Sequence, residues 1–247
     1  MERLVLVHGS VVGGAATWRA QQPLAERFEL VVLERPGFPP GPPVERVDFE
    51  ADGAFVADLL EPGDHLVGHS YGGVVSLLAA ARRPEALRSL TVIEPPATRV
   101  ALDVPAVAEF AEGGARLWAE DPKDDAEAFL RTFLEAVGSD YDPPSPLPPE
   151  LEQGARMLMN ERGPWEAEIP LAALAATRFP KLVVSGAHHP AFDAICDRLE
   201  RELSAERLVF PGYGHTVQRH QGFNPALADF VEQATSARTR LSRRAGR

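Results

Sequence analysis

Gly68-His69-Ser70-Tyr71-Gly72-Gly73 is the stretch on which the reading of this chain turns. A short apolar run, Asp64-His65-Leu66-Val67, leads into it, and a helical pattern over residues 74–83 follows and stops at Pro84. A G-x-S-x-G between a strand and a helix predicts a sharp turn. The serine there takes a strained backbone conformation, and the residues two before and two after it lack side chains so that the chain can close on itself. Such a turn lifts Ser70 Oγ clear of the sheet and aims the first amides of the helix at a reacting carbonyl. The bare pattern also fits a glycine-rich tight turn or a phosphate-binding loop without its lysine. The strand before it and the long helix after it favour a nucleophile.

Outward from this turn, five further short runs rich in Val and Leu read as strands: 4–7, 30–33, 90–93, 181–185 and 207–210. Each ends in turn residues and alternates with helical patterns, among them 192–203 and 225–233. Such runs suit strands buried on both faces of a parallel sheet covered by helices, with sites beyond the carboxyl ends of the strands. The interval between Pro96 and Phe179 holds no strand-like run. It offers helical patterns at 104–119, 122–137 and 149–160, separated by the proline-rich 142–149. The expected organisation is an α/β core over 1–96 and 179–236, a helical cap inserted over 97–178, and a disordered basic tail over 237–247.

Composition narrows the function. The 247 residues are 45% hydrophobic, enough for one well-buried core. A formal net charge of -11 repels phosphate backbones, so nucleic acid is not an expected partner. The lone cysteine, Cys196, excludes an intramolecular disulfide and reads as a buried thiol. The N-terminus enters a strand-like run without a secretory h-region, and no window approaches a membrane span, so a cytoplasmic protein without membrane association is expected. Oligomeric state, monomer or homodimer, stays open.

These motifs together resemble the α/β-hydrolase superfamily. His8-Gly9-Ser10 resembles its oxyanion turn, and Trp18 stands where that family often has tryptophan. Glu34-Arg35-Pro36-Gly37-Phe38 resembles its D-R-x-G-x-G turn, 68–73 its nucleophile elbow, and Pro211-Gly212-Tyr213-Gly214-His215 its histidine loop. The resemblance runs from Leu4 to about Phe230. It implies a sheet of about six mostly parallel strands that starts at the family's third strand, without the first two.

The resemblance also implies a triad in the order Ser…acid…His, with a base to take the serine's proton. Of seven histidines, His215 occupies the family's position. The amides of Tyr71 and Ser10 are the expected oxyanion donors, with the Ser10 hydroxyl a further candidate. The acid departs from the pattern. The family places an aspartate just past the glycine closing the fifth run, but here the stretch is Gly186-Ala187-His188-His189-Pro190. Two carboxylates remain: Glu94 at the end of the fourth run, where some lactonases and haloalkane dehalogenases carry the acid, and Asp193 as the alternative. A buried charge at Glu94 needs a partner, which favours it. Among cap residues, Met157, Met159 and Trp165 are expected to line an apolar pocket.

The function expected is hydrolysis of a small to medium hydrophobic carboxylic ester or lactone through an acyl-enzyme, without cofactor or metal. The adjacent His188 and His189 lack the spacing of a zinc pair. A C–C bond hydrolase using the same triad and a non-catalytic ligand receptor remain alternatives. Halide release and epoxide opening need a carboxylate where Ser70 stands.

Overall fold

The computed structural model describes residues 1–120 and 125–245, with side chains described for 1–119 and 125–236. Six strands form one sheet: β1 (Arg3–Val7), β2 (Glu29–Leu33), β3 (Asp64–His69), β4 (Leu87–Ile93), β5 (Lys181–Ser185) and β6 (Glu206–Val209). Their order is β2-β1-β3-β4-β5-β6 and every neighbouring pair is parallel. The helices are α1 (Gly14–Thr17), α2 (Phe49–Leu59), α3 (Tyr71–Arg82), α4 (Pro105–Glu120), α5 (Ala126–Ala136), α6 (Pro149–Met159), α7 (Leu171–Ala175), α8 (Pro190–Leu203) and α9 (Phe223–Ala245).

Strand side chains alternate between two cores, as the period of two requires. Val5 and Val7 of β1, Leu66 of β3, Leu90 and Val92 of β4 and Val183 of β5 pack with α2, α3 and α8. Leu4 and Leu6, Val67, Ile93, and Leu182 and Val184 face the other way, onto Trp18, Leu24 and α9. The helices between β4 and β5 build a third cluster: Phe129, Leu130, Leu151, Ala155, Leu158 and Met159 bury against one another and against Val11 from the core. Among the described residues no helix is long and apolar enough to cross a membrane.

Helix α2 is not evident from the sequence pattern. Its N-terminus is nonetheless encoded, because the Asp48 carboxylate accepts hydrogen bonds from the Glu50 and Ala51 amides. Helix α9 also runs past the expected end at Gln233, as far as Ala245. The expectation of a basic tail over 237–247 falls on residues outside those described in side-chain detail.

Candidate active site

Strand β3 ends at His69 and α3 begins at Tyr71, so Ser70 carries the whole reversal of direction. Its φ of 54° lies in the left-handed region, which a serine adopts only when its surroundings impose it. They do so by close approach. A Cβ at Gly68 would lie 2.3 Å from the Gly72 carbonyl oxygen, and one at Gly72 would lie 2.3 Å from that of His8. The two glycines flanking Ser70 are therefore required by backbone contact.

His215 arrives from the loop after β6. Its Nε2 lies 2.9 Å from Ser70 Oγ, and its Nδ1 lies 2.7 Å from Glu94 Oε2. His69 Nε2 donates to the His215 carbonyl at 2.8 Å, and Phe192 stacks on the imidazole with ring centroids 4.5 Å apart. The loop is thus pinned from both sides. Since His69 donates through Nε2, burial and the nearby His215, which push its pKa down to about 3, leave it a neutral strut.

Glu94 follows the last residue of β4 and also has a positive φ, 44°. The carboxylate is fully buried. Burial alone would raise its pKa, but contact with His188 and His215 outweighs this and lowers it to about 2. The Gly186 amide donates to Oε1 at 2.7 Å, and His188 Nδ1 lies 3.2 Å from the same oxygen. Burial opposes protonation of His188, but Glu94 raises its pKa above the ordinary imidazole value. Donor atoms of Glu94, His188 and His215 lie within 4.8 Å of one another, a spacing that a metal could bridge. Both carboxylate oxygens already accept hydrogen bonds, however, and a metal there would have to take His215 Nδ1 from Glu94.

Asp193 sits elsewhere. It lies in the first turn of α8, where Ser185 Oγ donates to its Oδ1 at 2.7 Å. His189 does a different job from its neighbour, accepting from the Ala191 amide as the N-cap of α8.

A narrow cavity of about 50 Å³ opens over Ser70. The core contributes Ser10, Tyr71 and Phe192 to its walls. The segment between β4 and β5 contributes Phe110, Leu117, Trp118, Phe133, Val137, Glu161 and Trp165. Trp165 stands in this wall. Met157 and Met159 do not. Met157 Sδ faces the other way, against the Val44 amide and Gly37, and Met159 packs in the insert's own core and borders a separate surface depression. Helical spacing marks both as buried but does not say which face meets the cavity. The Ser10 hydroxyl is likewise not directed as an oxyanion donor: it donates to Glu161 Oε2 at 2.6 Å. Glu161, which the sequence reading passes over, is buried, and burial raises its pKa to about 7 against the opposing pull of Arg35 and Ser10. No sequence motif marks it; it is a glutamate just beyond α6.

A buried hydroxyl, an imidazole and an ionised carboxylate in series can move a proton off the hydroxyl and stabilise the imidazolium that results. The chain matches the model of the alpha/beta hydrolase family over residues 4–226. It is 32% identical over 178 residues to a pimeloyl-[acyl-carrier protein] methyl ester esterase of Aeromonas hydrophila, an overlap of 70% of this chain and 64% of that protein. It is 28% identical over 256 residues to the polyketide synthase ThaQ of Burkholderia thailandensis, 95% of this chain but 12% of that protein. A solved membrane phospholipase A, described as a bacterial virulence factor, shares the fold with a TM-score of 0.71 at 22% identity, covering 95% of this chain and 79% of that one. Sheet order, elbow and family match agree, and the chain belongs to the alpha/beta hydrolase family.

Proposed function

We propose that this protein hydrolyses carboxylic esters of small to medium hydrophobic acyl groups through an acyl-enzyme at Ser70. The observation that carries this is the unbroken chain of contacts from Ser70 Oγ through His215 to Glu94, at 2.9 and 2.7 Å. Ser70 Oγ attacks the ester carbonyl while His215 Nε2 takes its proton. The tetrahedral oxyanion is held by the Tyr71 and Ser10 amides. Its collapse breaks the bond to the alkoxy group, which leaves with the proton from His215. Water then attacks the acyl-enzyme and gives its proton to His215, and the acid departs as Ser70 regains its hydrogen. Glu94, ionised at neutral pH, holds the His215 tautomer and balances the imidazolium.

The aromatic and aliphatic walls around Ser70 support an apolar acyl group. Lactones present the same carbonyl and are part of this reading. The esterase among the relatives is named for an acyl group borne on a carrier protein. An ester carried in that way is the second reading, and comparison of free and carrier-linked esters separates the two.

The deciding experiment is labelling with a fluorophosphonate probe, followed by assay of p-nitrophenyl esters of two to twelve carbons. Label on the native protein that disappears in Ser70→Ala, with ester turnover, is expected. Folded native protein that takes up no label would overturn the proposal.

A further inference from the structure

Arg35 is wholly buried, at 1% exposure, though nothing in the proposed reaction requires a cation there. Its guanidinium is satisfied on every side. Nε donates to Asp52 Oδ2 at 2.8 Å, one terminal nitrogen reaches Glu161 Oε1 at 3.3 Å, and the plane lies against the rings of Tyr71 and Phe38, 4.5 and 4.8 Å from their centroids. Two carboxylates answer one cation, so the network is not explained as simple charge neutralisation. The remaining terminal nitrogen donates at 2.9 Å to the carbonyl oxygen of Gly9.

That oxygen belongs to the peptide whose other end is the Ser10 N–H. A peptide unit is planar, so fixing its oxygen fixes where its N–H points. The same oxygen lies 2.7 Å from His8 Nδ1. His8 Nε2 accepts from the Arg35 amide at 2.9 Å, which puts the His8 proton on Nδ1 and makes that ring a second donor to Gly9. Both donors to one carbonyl are thus organised by one residue. Hydrogen bonds accepted by a carbonyl polarise its peptide and strengthen the N–H as a donor. The peptide lies against the nucleophile: a Cβ on Gly9 would come within 2.9 Å of Ser70 Cβ.

We infer that Arg35 is a positioning residue for the oxyanion hole, locking and polarising the Gly9–Ser10 peptide so that the Ser10 N–H meets the charge that develops on the substrate carbonyl. Glu161 completes the clamp. It holds Arg35 through one oxygen and the Ser10 hydroxyl through the other, and it comes from the segment inserted between β4 and β5. The insert therefore braces one side of the oxyanion hole as well as roofing the cavity. The inference rests on the hydrolase reading above and on the Ser10 amide as an oxyanion donor.

The test uses two variants of the full chain. Arg35→Lys keeps the charge but loses the fork that spans Asp52, Glu161 and Gly9. Arg35→Met/Asp52→Asn/Glu161→Gln removes the buried charges together, so that folding is not burdened by unpaired carboxylates. Each is assayed for kcat and KM on a p-nitrophenyl ester, and for affinity towards a trifluoromethyl ketone, which adds to Ser70 as an oxyanion, and its methyl ketone counterpart, which binds as a ground state. The expected result is a fall in kcat of roughly 10- to 1,000-fold with KM changed less than about threefold, a matching loss for the trifluoromethyl ketone, and none for the methyl ketone. A merely structural role would weaken both ketones alike. Folded variants that keep kcat and trifluoromethyl ketone affinity, or that lose both ketones equally, would overturn the inference while leaving the hydrolase reading intact. Wild-type protein that neither takes the fluorophosphonate nor binds the trifluoromethyl ketone would overturn that reading, and this inference with it.

Discussion

Ser70 and Glu94 both sit at positive φ, 54° and 44°, one residue beyond the ends of adjacent strands. Neither is glycine, and strain of this kind costs on the order of 1–3 kcal/mol at each position. Each side chain gains from it the same thing: it leaves the sheet at its carboxyl edge, where His215 can touch both. Glu94→Gln is expected to lower kcat by about 10³- to 10⁴-fold with a near-native melting temperature, because the amide cannot stabilise an imidazolium and favours the wrong tautomer. Asp193→Asn is expected to stay within about twofold of wild type, since its partners are Ser185 and Arg207. Comparing kcat in the two variants checks the assignment, and a Glu94→Gln enzyme of ordinary rate would sink it. At this scale the sequence is most legible where chemistry constrains backbone. Ser70 is announced by its glycines and His215 by its loop. Glu94 is legible from its place at the end of the fourth run and because the family's usual acid position holds histidine. His188 is not legible as its neighbour, since that contact depends on the path of the loop after β5.

At the scale of the elements, the cavity wall is the feature to test. Trp165 stands in the cavity wall with its ring edge-on to Trp118, 5.3 Å between centroids. Trp165→Ala is expected to move the optimum in a series of p-nitrophenyl esters towards longer acyl chains. Each additional buried methylene is worth about 0.8 kcal/mol, or roughly fourfold in kcat/KM, until the new space is filled. An unchanged chain-length profile would show that the ring does not limit the acyl site. The elbow is less forgiving. Gly72→Ala sets a methyl against the backbone of His8, and a melting temperature lowered by several degrees, or insoluble protein, is expected. The strands and most helices are readable from period and punctuation. Helix α2 escapes because its pattern is interrupted by Gly53, which packs against Leu78 of α3: tertiary contact fixes a helix that local propensity leaves ambiguous. The methionines of α6 fail for a related reason, because periodicity reports burial and not the identity of what lies opposite.

For the whole molecule, buried imidazoles set the response to acid. Burial, with nearby positive charge, lowers the pKa of His8 and His69 to about 3 and, against the pull of Glu2, that of His65 to about 4. An unfolded imidazole titrates near 6.5, so between that pH and the folded values the unfolded chain binds more protons and stability falls as pH falls. The penalty at pH 5 is about 2 kcal/mol for each of these groups. Glu161 works in the opposite sense. Its folded pKa of about 7 lies above the ordinary carboxylate value, so its burial costs more as pH rises through that window. His188, raised by Glu94, works in the same sense as Glu161, and the three deeply lowered histidines are expected to outweigh both. The urea midpoint is expected to be clearly lower at pH 5 than at pH 7, by a few kcal/mol in unfolding free energy. A midpoint that holds steady or rises on acidification would contradict this balance.

Strands β3 and β4 pair directly, and the Ser70 amide donates to the carbonyl of Ile93, the residue before Glu94. Ser70 and Glu94 are thereby tied through one rung of the sheet rather than through the intervening loops. Changes of residue in the helices over the cavity can alter which guests fit without touching that rung. Diversification of guest range in relatives of this chain is accordingly expected to concentrate in the roof, while the rung stays as it is.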